Sequence, residues 1–155
     1  MMCTWGERSD SLTRLDGIRV VVVDDAPILR RFLSAALEEF GAAVTVVETA
    51  DAALEAVRRE RPDVLISDLE MPGKGGHWLI GQVRALAPER GGLTPAAALT
   101  GLHGPAHRAS ALRAGFQDHL EKPIDLQTLV SAVASLALYG REPSVRQPSC
   151  SLAAR

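Results

Sequence analysis

Residues 18–29 read IRVVVVDDAPIL, and this stretch indicates the architecture of the chain. The β-branched run is typical of a strand that is buried on both faces, as in a parallel sheet. Two aspartates close this strand, and Pro27 then stands where the first turn of a helix accepts proline. Apolar residues recur at helical spacing as far as Phe40, and Gly41 follows as a C-terminal cap. The stretch therefore predicts a strand–helix unit with an acidic pair at its turn.

The same strand–helix unit is predicted five times along the chain. Strands that are separated by helices of about ten residues run parallel, with right-handed crossovers. We therefore predict an α/β fold of the flavodoxin-like type, a doubly wound five-stranded parallel sheet in the order 2-1-3-4-5 with five helices, whose functional groups lie at the carboxyl ends of the strands. The predicted strands cover residues 18–23, 43–47, 63–68, 95–100 and 116–120, and the predicted helices cover 27–40, 51–60, 77–86, 105–114 and 125–139.

Length and composition predict one folded domain with a short segment on each side. The chain has 155 residues, of which 46% are hydrophobic. We assign residues 17–139 to the domain, 1–16 to a flexible N-terminal extension and the Pro/Ser-rich 140–155 to a disordered tail.

Charge and composition also exclude several classes of function. A net charge of −2 and an aromatic content of 4% argue against direct binding of nucleic acid. The sequence contains neither an apolar run of membrane-spanning length nor a signal-peptide pattern, and its two cysteines lack metal-ligand spacing. We expect a cytoplasmic protein that does not insert into membranes.

Polar side chains mark the carboxyl ends of the predicted strands. Asp24 and Asp25 follow the first strand, Asp68 ends the third, Thr100 ends the fourth, and Lys122 follows the fifth. Three carboxylates and one ammonium leave a formal charge of −2 in a small volume, where like charges repel each other. A divalent cation would relieve this repulsion, and oxygen ligands favour Mg²⁺, with Mn²⁺ as the alternative.

The same residue types supply the parts that phosphoryl transfer requires. An aspartate can act as the nucleophile and form an aspartyl phosphate, while a metal ion and fixed positive charge hold the phosphate oxygens. Lys122 offers a compact positive charge, and it is one of only two lysines in a chain with fifteen arginines. The Thr100 hydroxyl can donate a hydrogen bond to a phosphoryl oxygen.

Four short motifs carry a resemblance to a known family. They are VVVDDA around Asp24, LISDLEMPG around Asp68, ALT ending at Thr100, and EKP around Lys122. Over residues 18–138 the chain resembles the CheY-like receiver domains of response regulators in two-component signalling. The sequences LDG at 15–17 and PERGG at 88–92 are similar to receivers of hybrid histidine kinases.

The resemblance implies a reaction and a set of ligands. Asp68 would accept a phosphoryl group from the phosphohistidine of a histidine kinase or a histidine phosphotransfer protein, and Lys122 and Thr100 would stabilise that group. The chain would not be a conventional enzyme, although it would catalyse its own Mg²⁺-dependent phosphorylation and dephosphorylation on Asp68. The implied Mg²⁺ ligands are Asp24, Asp25, Asp68 and the backbone carbonyl of Glu70.

The resemblance also implies a switch. Thr100 and His119, which lies three residues before the lysine, occupy the positions of the two moving side chains in many relatives. The fourth helix, fifth strand and fifth helix would then bind an unknown downstream protein, with the chain as a monomer or as a phosphorylation-dependent dimer. Glu70 lies two residues after Asp68. Its side chain places another carboxylate near the path of a hydrolytic water.

Other functions remain open from the residues alone. A receiver-like module could bind its partner without being phosphorylated, although such modules commonly lose the acidic pair, the acceptor or the lysine. An aspartate-nucleophile phosphatase would show Asp-x-Asp after the first strand, and a dinucleotide enzyme would show G-x-G-x-x-G there. This chain has DDAPIL instead.

Overall fold

The computed structural model describes residues 14–141, which form a three-layer α/β/α sandwich. Its five strands are all parallel and pair in the order β2-β1-β3-β4-β5, which confirms the predicted fold. The strands are β1 Arg19–Val23, β2 Ala43–Val47, β3 Val64–Asp68, β4 Ala96–Thr100 and β5 Asp118–Glu121. The helices are α1 Pro27–Glu39, α2 Ala50–Glu60, α3 Gly76–Arg84, α4 Pro105–Ala114 and α5 Leu126–Arg141.

Two apolar cores lie on opposite faces of the sheet. Successive side chains of a strand point to opposite faces, so β1 contributes Val20 and Val22 to one core and Val21 and Val23 to the other. Helices α1 and α5 cover the first face, whereas α2, α3 and α4 cover the second. Leu15, which lies within the predicted N-terminal extension, is fully buried in the first core. Residues 1–13 of that extension and residues 142–155 of the predicted tail lie outside the described residues.

The predicted element boundaries agree with the structure within one or two residues, and the start of β5 is one of the two-residue differences. We predicted a strand at 116–120, whereas β5 covers Asp118–Glu121. Gly115 ends α4 with a φ of 129°, and Phe116 then buries its ring in the second core before the strand begins. The prediction therefore counted Phe116 as the first residue of the strand, because it is apolar and lies close to it. Asp125 caps α5 as predicted, since its carboxylate accepts from the amide of Thr128 at 3.2 Å.

The side chain of Arg84 connects α3 by hydrogen bonds to the loops at the amino ends of β4 and β5. Its Nη1 donates to the carbonyls of Gly92 and Thr94 at 2.9 and 2.8 Å. Its Nε and Nη2 both donate to the carbonyl of Gly115, and Nη2 also donates to the side-chain oxygen of Gln117. Backbone carbonyls thus hold a half-buried guanidinium in place.

Within residues 14–141, no helix is both long enough and apolar enough to cross a bilayer.

Candidate functional site

The parallel pairing of β1 and β3 places two carboxylates side by side. Val23 lies opposite Ser67, so the next residues, Asp24 and Asp68, face each other at the carboxyl edge of the sheet. Asp25 lies beside them, and one oxygen from each of the three carboxylates falls within 4.8 Å of the others. The structure thus brings together the three side chains predicted as metal ligands.

Asp24 and Asp68 are buried, whereas Asp25 is exposed. Oδ1 of Asp24 accepts from the amide of Ala26 at 2.8 Å, which fixes the turn into α1. Oδ2 of Asp24 is buried and has no hydrogen-bond partner. It lies 3.4 Å from Nζ of Lys122. A buried carboxylate oxygen without a hydrogen bond is costly, so this atom is available to a further ligand.

Lys122 joins the cluster from the residue after β5. Its Nζ lies 3.1 Å from Oδ1 of Asp68. Burial and the charge of Asp24 raise the pKa of Asp68 to about 6, although the hydrogen bond from Lys122 opposes this rise. Burial lowers the pKa of Lys122, but the hydrogen bond and charge of Asp68, together with Asp24, outweigh burial and raise that pKa above its ordinary value. The ammonium therefore stays charged at neutral pH.

The donor set of this cluster suits a hard divalent cation. Carboxylate oxygens are the ligands that Mg²⁺ prefers, and Mg²⁺ is commonly held by one or two carboxylates with waters. The Oδ2 of Asp24, which accepts no hydrogen bond, and the exposed carboxylate of Asp25 leave lone pairs for such an ion. The residues present therefore fit Mg²⁺. Coordination by the backbone carbonyl of Glu70 stays a prediction.

The side chain of Glu70 also enters the site. Its carboxylate accepts a hydrogen bond from the hydroxyl of Thr100 through Oε2 and from the amide of Gly101 through Oε1, the latter at 3.1 Å. The Thr100 oxygen in turn accepts from the amide of Leu102 at 2.9 Å. Sequence reasoning placed Glu70 mainly through its carbonyl and missed this bidentate contact. With Glu70 included, four carboxylates and one ammonium give a formal charge of −3.

The loop after β3 is tightly packed against the start of α3. A Cβ on Gly76 would lie 2.7 Å from the backbone oxygen of Asp68 and 2.7 Å from a side-chain carbon of Leu69. Both distances are far below van der Waals contact, so only glycine fits without movement of the backbone. The first turn of α3 thus fixes where the carboxyl end of β3 lies.

His119 lies on β5, away from the carboxylates. Its ring is buried, and Nε2 has no hydrogen-bond partner. The residue borders two surface clefts of about 530 and 500 Å³ between β5 and its neighbouring helices. A role of His119 as a switch residue stays a prediction.

Comparison with known families identifies the chain. The family model described as the response regulator receiver domain matches residues 20–134. The chain belongs to the receiver domain family. Receiver domains are the phosphoacceptor domains of two-component systems; they bind Mg²⁺ in an acidic pocket and act with histidine kinases or phosphotransfer proteins.

Curated relatives of this receiver differ widely in length. An uncharacterized 14.6 kDa protein of Leptolyngbya boryana is 44% identical over 119 residues, which are 77% of this chain and 89% of the relative. The response regulator protein FleR of Pseudomonas aeruginosa is 35% identical over 77% of this chain. The sensor protein GacS of Pseudomonas syringae is 36% identical over 81% of this chain. The receiver spans only 24% of FleR and 14% of GacS.

Solved receivers share this fold. The receiver domain of the sensor histidine kinase PA1611 from Pseudomonas aeruginosa superposes with a TM-score of 0.71 at 28% identity, covering 78% of this chain and 98% of that one. In that structure a magnesium ion is coordinated in the active-site cleft. A Francisella response regulator receiver gives a TM-score of 0.72 at 27% identity, covering 79% of this chain and 98% of that one.

Proposed function

We propose that this receiver is a phosphoacceptor switch whose Asp68 takes a phosphoryl group from a phosphohistidine in a Mg²⁺-dependent reaction. A histidine kinase or a histidine phosphotransfer protein would be the donor, as the similarity to the receiver domain of the sensor histidine kinase PA1611 supports. The arrangement around Asp68 carries the proposal: a buried carboxylate with an ammonium 3.1 Å away and two further carboxylates within 4.8 Å.

The chain's own groups account for most of the transfer step. With a pKa of about 6, Asp68 is largely ionised at pH 7, so a carboxylate oxygen is available as a nucleophile. This oxygen forms a bond to phosphorus while the bond from phosphorus to the donor imidazole breaks, and the departing imidazole nitrogen keeps the electron pair and takes up a proton. Bound Mg²⁺ would supply charge that holds the phosphoryl oxygens.

Two residues of the site would hold the transferred group. Lys122 would place its ammonium against one phosphoryl oxygen, because it already lies on the acceptor carboxylate. The buried hydroxyl of Thr100, at the end of the adjacent strand, would donate to another oxygen. In this proposal the two residues are catalytic in the sense that they touch the reacting group.

The output of the switch would be the surface formed by α4, β5 and α5. Movement of Thr100 toward the phosphoryl group would leave space that His119, two residues before the end of β5 on the neighbouring strand, could enter. The two clefts that His119 borders support such a rearrangement, since they offer space next to a residue that is now buried. An unknown downstream protein would then read the altered surface.

Intact-mass measurement after incubation with acetyl phosphate tests the acceptor. Wild type should gain about 80 Da, the mass of one phosphoryl group, with Mg²⁺ and not with EDTA. Asp68→Asn should gain nothing, while Asp16→Asn, which changes an exposed aspartate at the opposite edge of the sheet, should behave as wild type.

Two other outcomes would redirect the assignment. A phosphoryl group that persists in Asp68→Asn would place the acceptor elsewhere. No gain in wild type, together with no stabilisation by Mg²⁺, would favour the phosphorylation-independent interaction module.

A further inference from the structure

We propose that the side chain of Glu70 is an internal anion that occupies the Thr100 hydroxyl, one of the donors for the phosphoryl group, and that phosphorylation of Asp68 must displace it. The inference rests on the proposed function and concerns how the same site is regulated. It starts from the bidentate contact of Glu70 with the hydroxyl of Thr100 and the amide of Gly101.

The hydrogen-bonding capacity of Thr100 makes the two states exclusive. A hydroxyl group has one proton to donate. In the structure that proton is directed to Glu70, and the oxygen accepts from the amide of Leu102. Thr100 cannot donate to a phosphoryl oxygen while it donates to Glu70. The Gly101 amide, which also has one proton, is engaged in the same way.

Charge acts in the same direction as hydrogen bonding. A phosphoryl group brings between one and two negative charges at pH 7. The Glu70 amide already donates to Oδ1 of Asp68 at 3.2 Å, so the Glu70 residue is close to the acceptor. A carboxylate and a phosphoryl group that compete for the Thr100 hydroxyl would lie close enough to repel each other. The carboxylate is therefore stable on Thr100 only before phosphorylation.

The displaced side chain has a place to go. Glu70 is exposed, so its carboxylate can leave Thr100 without unfolding any part of the domain. A cleft of about 200 Å³ opens beside it between α3 and α4, and its lining includes His77 and His107. Imidazole nitrogens can donate to a carboxylate, so the cleft offers new partners for the released side chain.

Binding of the trifluoroberyllate anion, a tetrahedral analogue of the phosphoryl group, tests this competition directly. With saturating Mg²⁺, Glu70→Gln should bind the anion about five- to tenfold more tightly than wild type, because a charge-assisted hydrogen bond no longer has to be broken. The affinity for Mg²⁺ itself should stay equal or fall, since a negative charge is removed. The amide proton of Gly101 should shift in the NMR spectrum of the unliganded variant.

The matched control is Glu121→Gln. Glu121 is also exposed and lies next to Lys122, but its carboxylate contacts the amide of Gly104 and His103 rather than Thr100. This variant should leave the affinity for trifluoroberyllate within about twofold of wild type, since exposed charge pairs contribute little.

The outcomes separate this inference from the proposed function. Wild type that neither binds trifluoroberyllate nor gains a phosphoryl group would overturn the proposed function. Wild type that binds the anion, with Glu70→Gln and Glu70→Ala both unchanged, would overturn the inference alone. An equal gain in Glu121→Gln would also overturn it, because general charge rather than occupation of Thr100 would then be responsible.

Discussion

Two charged clusters at opposite edges of the sheet show how differently this fold treats ionised side chains. At the amino edge, the guanidinium of Arg84 donates five hydrogen bonds, four of them to backbone carbonyls. At the carboxyl edge, Asp24 has an oxygen without any hydrogen bond, and the carboxylates outnumber the one ammonium. The first arrangement is complete by itself, whereas the second holds more carboxylate charge than its one ammonium balances.

The difference separates a structural role from a functional one. Burial lowers the pKa of Arg84 to about 10, which still leaves the group charged at any physiological pH. Burial and Asp24 raise the pKa of Asp68 to about 6, close enough to neutrality for its charge to depend on what binds beside it. The fully hydrogen-bonded guanidinium of Arg84 holds loops in place. The charge of Asp68, which its neighbours do not balance, can instead respond to a bound ligand.

The largest expected effect is a loss of stability when the hydrogen bonds of Arg84 are removed. Arg84→Met should lower the free energy of unfolding by about 3 kcal/mol, because the carbonyls of Gly92, Thr94 and Gly115 lose their donors. Urea denaturation measures this change. The control is Arg113→Met, the same substitution at an exposed position of α4. Equal stability of the two variants would show that the Arg84 hydrogen bonds contribute little.

Binding of Mg²⁺ to the carboxylates at the carboxyl edge should stabilise the protein. Mg²⁺ at 100 times its Kd should raise the free energy of unfolding of wild type by about 2.7 kcal/mol, since the ion binds only the folded state. Asp25→Asn, which alters an exposed ligand, should bind the ion about tenfold more weakly and gain only about 1.4 kcal/mol at the same concentration. Thermal unfolding with and without Mg²⁺ measures both. An undiminished response of Asp25→Asn would move the metal site away from this residue.

The smallest of the three effects is a pH dependence without metal. The pKa of Asp68 is about 6 in the folded state against an ordinary 3.8, so folding favours its protonated form. The stabilisation from this proton is fully present below about pH 4 and is lost as the pH rises through 6. The free energy of unfolding of wild type should therefore fall by about 2 kcal/mol relative to Asp68→Asn between pH 4 and pH 7.

Chemical denaturation in EDTA across this pH range supplies the measurement. Taking the difference between the two proteins removes titrations that they share. Parallel curves for wild type and Asp68→Asn would mean that the acceptor carboxylate is not destabilised by its surroundings.

The strand order and the carboxylate cluster follow from sequence because they rest on repeated patterns. A β-branched run before a helical period occurs at each unit, and parallel strands bring their carboxyl ends to one edge. The sequence alone therefore predicts that Asp24, Asp68 and Lys122 lie together.

Contacts that depend on tertiary packing could not be predicted in this way. Arg84 is one of fifteen arginines, and nothing in its neighbourhood along the chain marks it as the one whose donors all meet acceptors. The contact between Glu70 and Thr100 joins the loop after β3 to the end of β4, 30 residues away along the chain. Whether the Glu70 side chain reaches Thr100 depends on how the loop after β3 packs against the residues around the end of β4. The sequence predicts only that both residues lie near the carboxyl edge of the sheet.

The close approach of α3 to the acceptor strand has a consequence for natural and laboratory variation. Gly76 carries no functional group, yet any side chain there would collide with the backbone oxygen of Asp68 at 2.7 Å. A substitution at this position would tilt the helix or displace Asp68, and the proposed phosphoryl transfer would slow although every charged group had been kept. Screens that rank positions by chemical reactivity alone would pass over one of the most constrained residues of the domain.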